Sequence, residues 1–206
     1  EMCIRDSDRA GHRGPITVIS RHGLWPHVRR QPPAWPDFLA AASDLRSPRQ
    51  LMAEVRNQCR QALQLGVDWQ APLDTVRVHI ARLWSQASER QKRQFVRHVR
   101  PWWESHHHRS PPPSDVLLQK AIAERRLTLQ AACYLSAEGT TLTIRRRGES
   151  APVQLHGDVL INSSGIEYDW RRVDKPLPRQ LLARGLVKPG PLALGLLADD
   201  EGALLN

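Results

Sequence analysis

An arginine and a histidine directly follow a short apolar run near the start of the chain. Positions 16–19 predict a short buried strand that ends at Ser20, and Arg21 and His22 come immediately after it. A guanidinium forms forked, charge-assisted hydrogen bonds with phosphate oxygens. Ser20, Arg21 and His22 are therefore candidate contacts to an anionic ligand at a strand end. The alternative is that Arg21 is an ordinary surface arginine.

A second group of small polar residues follows another apolar run. The sequence DVLIN, residues 158–162, predicts a short buried strand, and it leads into Ser163, Ser164 and Gly165. Small residues after a strand allow a ligand to approach the backbone closely, and the Asn162 amide can orient such a turn. An ordinary loop has the same composition, so both interpretations stay open.

Three adjacent histidines lie in the sequence PWWESHHHR, which ends at Arg109. Consecutive residues of a helix point about 100° apart, so these histidines cannot converge on one metal ion, and we predict no metal site. Packing, surface polarity and a basic lining for an anionic ligand remain as alternatives. For the last of these, His106 and Arg109 are the candidate contacts to an anion or a substrate.

Charge suggests an alternative function. The 206 residues carry a formal net charge of +9, and only four of the 30 basic residues are lysine. One predicted helix face collects six basic residues, which are Arg90, Lys92, Arg93, Arg97, His98 and Arg100. This face is either a solvated surface or the contact face of a basic helical module that binds nucleic acid or another anion. Nucleic acid is the less expected partner because the arginines are scattered.

Cysteine content and hydropathy bear on the compartment. Cys3, Cys59 and Cys133 cannot all pair within the chain and show no metal-ligand spacing, which favours a reducing environment. No run approaches the ~20 consecutive apolar residues of a membrane span. We therefore expect a cytoplasmic protein with no membrane partner.

The elements that position these residues indicate an α/β fold. Capping boxes at Ser47 and Ser88 begin two helices, and Asp68 and Ser114 are predicted caps of two more. Strands are predicted at 127–135, in a hairpin over 140–146, and at 152–155. Residues 1–7, EMCIRDS, resemble the translation of a transposase adapter used in sequencing libraries, so we expect them to be an artefact and the natural chain to begin upstream.

The order of four segments resembles one protein family. The segments are ITVISRHGLWP, FVRHVRPWWESHHHR, DVLINSSG and LPRQLLARGLVKPGPLALGLLADDEGALL. In this order, over nearly the whole chain, they are similar to the bacterial family of FAD/NAD(P)-binding proteins, which is related to flavin-dependent N-hydroxylating monooxygenases such as aspartate N-monooxygenase. The family usually has N-C-T-G where this chain has N-S-S-G, so the glycine and a hydroxyl are kept.

The resemblance implies a fold, cofactors and an activity. It implies an incomplete two-dinucleotide-binding flavoprotein fold with an all-helical insertion: residues 8–34 end an NAD(P)-binding subdomain, 35–113 form the insertion, and 114–206 form part of an FAD-binding subdomain. Ser20, Arg21 and His22 would contact NADP, with Arg21 on its 2′-phosphate, and Asn162, Ser163, Ser164 and Gly165 would lie near FAD.

The resemblance also sets expectations for the whole protein. The parent would be an FAD- and NAD(P)H-dependent oxidoreductase, with monooxygenase as the expected type, that acts on a small-molecule substrate. No G-x-G-x-x-G phosphate loop occurs in this sequence. We therefore expect the chain to be a fragment, cut at both ends, that is inactive by itself.

Overall fold

The computed structural model describes residues 2–40, 47–199 and 201–206, and the chain divides into two compact units, residues 1–161 and 162–206. The larger unit contains a four-stranded sheet and seven α-helices among its described residues. The smaller unit contains one α-helix and two single 3-10 turns in its described part. The subdomain ranges expected from the sequence stay predictions.

The sheet is mixed, with strand order β1-β2-β3-β4. Its strands are β1 (Ile16–Ser20), β2 (Leu127–Glu138), β3 (Thr141–Arg146) and β4 (Val153–His156). Strands β1 and β2 run parallel, with Ile16 opposite Leu127 and Ser20 opposite Ala131. The other two pairs are antiparallel. A mixed sheet combined with helices confirms the general α/β class that the sequence predicts.

The strand predicted over residues 158–162 is wrong. The structure has no strand there, and Val159 is 75% and Ile161 53% exposed. A short apolar run becomes a strand only when a neighbouring strand accepts its backbone hydrogen bonds. Strand β4 ends at His156, and no described strand pairs with the residues that follow.

The described residues of the larger unit form seven α-helices. They are α1 (Met2–Arg9), α2 (Pro48–Gln64), α3 (Gln70–Arg77), α4 (Ile80–Gln86), α5 (Glu89–Gln94), α6 (Arg100–His107) and α7 (Pro112–Ala123). The predicted capping box of α5 is confirmed, whereas at α2 only the bond to the Ser47 side chain is present. Ser47 Oγ accepts a hydrogen bond from the Gln50 N–H at 3.2 Å, and Ser88 and Gln91 bond each other reciprocally at 3.3 and 2.7 Å.

Two predicted helices are interrupted. One helix is predicted after its cap Asp68, but the structure divides it into α3 and α4, although Asp68 Oδ1 does accept the Gln70 N–H at 2.8 Å. The helix that begins after Ser88 passes through a π-helical segment, Phe95–Val99, before α6. Pro101 has no N–H to continue the regular hydrogen-bond ladder, which accounts for an irregular turn immediately before it.

Helix α7 begins earlier than predicted, and α1 lies in a segment for which the sequence predicts no element. Ser114 is predicted to cap α7, but the helix begins at Pro112 and Ser114 lies buried within its first turn. Proline suits this start because the first N–H groups of a helix have no partner within it. Helix α1 includes most of the adapter-like segment, and its Ile4 is 92% buried in a core cluster.

Two apolar clusters hold the larger unit together. The first joins α1, α7 and the parallel strand pair through Ile4, Leu118, Ala121 and Leu127, with Trp25 packed against it. The second joins Leu39 to α2 and α3 through Val55, Leu73 and Val76, with Trp103 packed against it. The helices therefore pack in two separate groups.

The smaller unit is built mainly from turns. Helix α8 (Pro176–Ala183) lies between the 3-10 turns Trp170–Arg172 and Pro191–Ala193. Isolated bridges join Pro189 to Leu196 and Ala198 to Leu204, and Val187 is 95% buried.

Candidate functional site

The turn that follows β1, residues 20–23, is tightly built and is called the β1 exit below. Ser20 ends the strand, and its Oγ accepts a hydrogen bond from the Gly23 N–H at 2.9 Å. Gly23 has φ +62°, and a Cβ there would lie 3.0 Å from the Cβ of Ala131 on β2. The turn therefore requires glycine, and it holds residues 21 and 22 at the carboxyl end of the parallel strand pair.

Arg21 is the charged residue of the β1 exit. Its side chain is exposed and makes no hydrogen bond or ion pair with any residue that the structure describes, while His22 is half-buried. The Ser20 hydroxyl accepts from Gly23 but can still donate its own hydrogen. The three predicted contacts thus lie together, with donors that a ligand could use.

The segment after the β1 exit is held against two helices. The N–H of His27 donates to the Ser105 carbonyl at 3.0 Å, and the N–H of Ser110 donates to the His27 carbonyl at 2.8 Å. Gln70, which is 1% exposed, accepts from the Arg30 N–H at 3.0 Å and donates to the Val28 carbonyl at 2.7 Å. These bonds fix the backbone from His27 to Arg30.

Three rings meet at this point. The centroid of His27 lies 4.4 Å from that of His106 and 5.1 Å from that of Trp69, and His106 lies 5.3 Å from Trp69. The His106 Nδ1 is 2.7 Å from the Trp102 carbonyl, which orients its ring. We call His27, Trp69, His106 and Arg109 the histidine–tryptophan cluster.

Arg109 is the buried cation of this cluster. Its side chain is 4% exposed and lies 3.0 Å from Asp74, and its Nε donates to the His106 carbonyl at 2.8 Å. The guanidinium carbon lies 5.7 Å from the centroid of Trp69. Its Nη2 is buried and has no hydrogen-bond partner among the described residues. The structure thus brings the predicted residues His106 and Arg109 together and neutralises Arg109 with Asp74.

Burial and neighbouring charge act on the histidines. Burial, followed by the charges of His106 and Arg109, lowers the pKa of His27. Burial also lowers the pKa of His107, and Arg77 lowers it further, whereas Glu104 opposes the shift. Both rings are therefore biased toward the neutral form.

The three adjacent histidines have three different surroundings. His106 faces His27, His107 stacks on Trp103 at 4.8 Å, and His108 lies 3.0 Å from Glu104. Among the described residues, no three histidine, cysteine or acidic side chains come close enough together to hold a metal ion.

The second predicted site begins the smaller unit. The Asn162 Oδ1 accepts from the Ser164 N–H at 3.0 Å and from the Ser164 hydroxyl at 2.8 Å. Gly165 has φ +83°, and a Cβ there would have no heavy atom within 4 Å. Asn162 therefore shapes the turn through its amide, and Ser163, Ser164 and Gly165 are all exposed.

The predicted basic face, residues 90–100, spans α5, the π-helical segment and the start of α6. Arg90, Arg93, Arg97 and His98 are exposed. Lys92 and Arg100 are half-buried and lie near Glu89 and Glu104, at 3.9 and 3.1 Å. The exposed members of this face make no ion pair with a described residue.

No protein-family model, curated protein or solved structure matches this chain. The family resemblance is therefore carried by the sequence motifs alone. Within the described parts of the chain, no helix has both the length and the apolar character needed to cross a bilayer.

The sequence does not predict Gly23, His27 or Trp69 as residues of these sites. Gly23 lies in the segment SRHGLWP, where a glycine after a strand marks a turn. His27 and Trp69 have no motif, because their contact with His106 depends on the path of the chain between distant helices.

Proposed function

We propose that this chain is part of an FAD- and NAD(P)H-dependent oxidoreductase, and that the β1 exit binds the adenosine 2′-phosphate of NADP. The observation that supports this most is the position of Arg21, exposed and unpaired among described residues at the carboxyl end of a parallel strand pair. In open α/β sheets, ligands bind outside the carboxyl ends of the strands.

The chemistry of the β1 exit suits a phosphate monoester. Arg21 would supply a forked pair of donors, and the Ser20 hydroxyl can donate while it accepts from Gly23. The half-buried His22 would add a third donor at the same turn. Such a set selects NADP over NAD because only NADP carries the 2′-phosphate.

For FAD, the proposal rests on the turn at residues 162–165. The Asn162 amide holds this turn, and Gly165 leaves its backbone open to close approach. We propose that the backbone of Ser163, Ser164 and Gly165 contacts the FAD nucleotide. Bound FAD would supply the redox chemistry itself, and the chain would bind and orient it. On the resemblance alone, the proposed reaction type is a monooxygenation of a small molecule.

Nucleotide discrimination tests the role of Arg21. Binding of NADPH and NADH is measured by nicotinamide fluorescence for the unaltered chain, for Arg21→Ala and for Arg29→Ala, an exposed arginine beyond the β1 exit. We expect NADPH to bind at least about tenfold tighter than NADH, and Arg21→Ala to remove that difference. Arg29→Ala should keep it. Equal binding of the two nucleotides by the unaltered chain would contradict the proposal.

The basic face supports a second candidate function, a module that binds nucleic acid. Arg90, Arg93 and Arg97 are exposed, and Trp102, which is 45% exposed, lies on the following helix. Basic side chains bind phosphates, and an exposed indole can stack on a base. Binding to a random oligonucleotide with a steep salt dependence would favour this function. Undetectable binding at physiological salt would eliminate it.

A further inference from the structure

A cavity of about 690 Å³ lies between α2, α4 and α5 in the larger unit. Its wall is mostly aliphatic and aromatic, and includes Leu51, Met52, Ile80, Trp84 and Phe95. The cavity opens to solvent, and its volume falls within the range of about 300–1,000 Å³ that is typical of small-molecule sites. The cavity therefore has the size and lining of a site for a small apolar group.

Among the described residues that line the cavity, the charged side chains are all basic. Arg82 and Lys92 line the cavity, and no aspartate or glutamate is among its described lining residues. The Arg82 Nη2 donates to the Leu39 carbonyl at 3.0 Å and lies 3.2 Å from the His79 Nδ1, but no described carboxylate pairs with it. An anion is thus the complementary ligand group.

Lys92 is held in place at the wall. Its side chain is 18% exposed, and its Nζ lies 5.6 Å from the centroid of Trp84 and 3.9 Å from the Glu89 carboxylate. Glu89 is 53% exposed, and an ion pair of this kind contributes little. A carboxylate bound from the cavity side would find an ammonium that an aromatic ring already orients.

We propose that this cavity binds an amphipathic carboxylate, with its apolar tail against the wall of α2 and α4 and its carboxylate paired with Lys92. The proposal goes beyond the nucleotide sites and does not depend on them. The cavity lies among the helices that follow Ser47, and none of its lining residues belongs to the β1 exit or to residues 162–165.

Calorimetric titration of the 206-residue chain with decanoate, decanol and decylammonium tests the proposal, with no nucleotide present. We expect decanoate to bind about tenfold tighter than decanol, and decylammonium more weakly still. Lys92→Met should weaken decanoate binding about tenfold, with decanol unaffected. Arg93→Met is the matched control because Arg93 is exposed on the same helix and does not line the cavity; it should change binding less than about twofold.

A second variant tests occupancy of the cavity itself. Met52 lines the cavity on α2 and is half-buried, so Met52→Trp should narrow the cavity and weaken the binding of both decanoate and decanol. Circular dichroism confirms that each variant is folded, and if Met52→Trp fails to fold, the comparison of Lys92→Met with Arg93→Met decides alone. Equal affinity for the three ligands, equal effects of Lys92→Met and Arg93→Met, or no binding of decanoate would overturn the proposal.

Discussion

At the scale of single residues, Arg109 shows how a basic side chain is used inside the larger unit. It is almost fully buried, it pairs with Asp74, and it packs over the Trp69 ring. A charge buried in this way stabilises the fold only while its partner is present. Arg77 approaches the same carboxylate at 3.9 Å but is 41% exposed, so it offers a matched comparison.

Replacing Arg109 by methionine should therefore destabilise the chain. We expect a loss of about 2–3 kcal/mol in the free energy of unfolding, less than for a fully buried pair because Asp74 is 36% exposed. Arg77→Met should cost about 0–1 kcal/mol. Urea unfolding of both variants measures the difference, and equal losses would contradict the assignment of Arg109 as the buried partner of Asp74.

His27 predicts a dependence of stability on pH. Burial and the charges of His106 and Arg109 lower its pKa, so near and below its ordinary value of 6.5 the unfolded chain binds more protons than the folded chain. This contribution to stability is complete above about pH 6.5 and is lost as the pH falls through the lowered pKa of the folded state. His107 acts in the same direction.

The expected result is a lower free energy of unfolding at about pH 5.5 than at about pH 7.5. His27→Gln should reduce this difference without removing it, because His107 keeps its own share. The account of the cluster would be wrong if His27→Gln left the pH dependence as it is in the unaltered chain.

The sequence predicts single residues well where the signal is local. Arg21 and His22 could be placed at a strand end because the apolar run stops at Ile19. The pairing of Arg109 with Asp74 could not be predicted, because these residues are 35 positions apart and meet only through the packing of α3 against α6 and the residues after it.

At the scale of elements, the β1 exit depends on Gly23. Its positive φ and its approach to Ala131 both require glycine. Gly139, in the turn between β2 and β3, also has a positive φ, +56°, but a Cβ there would contact nothing within 4 Å. Comparing Gly23 with Gly139 therefore distinguishes the cost of the left-handed backbone conformation from the cost of the contact with Ala131.

Alanine at each position tests this difference. Both substitutions should cost about 1–2 kcal/mol through the left-handed backbone conformation. Gly23→Ala should cost about 1 kcal/mol more than Gly139→Ala, because its Cβ presses on the Cβ of Ala131. Thermal unfolding measures both, and a smaller loss for Gly23→Ala would show that β2 does not confine the β1 exit.

Element boundaries follow the same division between local and non-local signals. The caps at Ser47 and Ser88 are correct because a helix cap involves residues within one turn. The strand at 158–162 is wrong because strand formation depends on a partner that the run itself does not specify. The irregular segment before α6 has a local cause and a wider consequence. Pro101 interrupts the hydrogen-bond ladder locally, and the whole turn before it adjusts to a π-helix.

At the scale of the whole molecule, the α/β class could be predicted, but the sheet order could not. Strands β1 and β2 pair across a separation of about 111 positions, and six of the described α-helices, α2 to α7, lie between them in the sequence. Composition and periodicity give the strands and helices, whereas the pairing depends on how two helical groups pack. The proposed function rests on this pairing, because it places Arg21 at the carboxyl end of a parallel strand pair.

The most direct test of the proposed nucleotide site is a titration of the ¹⁵N-labelled chain with 2′,5′-ADP and with 5′-AMP, followed by amide chemical shifts. The account predicts that 2′,5′-ADP shifts the amides of residues 20–23 at concentrations where 5′-AMP leaves them unchanged, and that Arg21→Ala removes these shifts. Shifts confined to other parts of the chain, or identical responses to both nucleotides, would contradict the proposal that the β1 exit reads a 2′-phosphate.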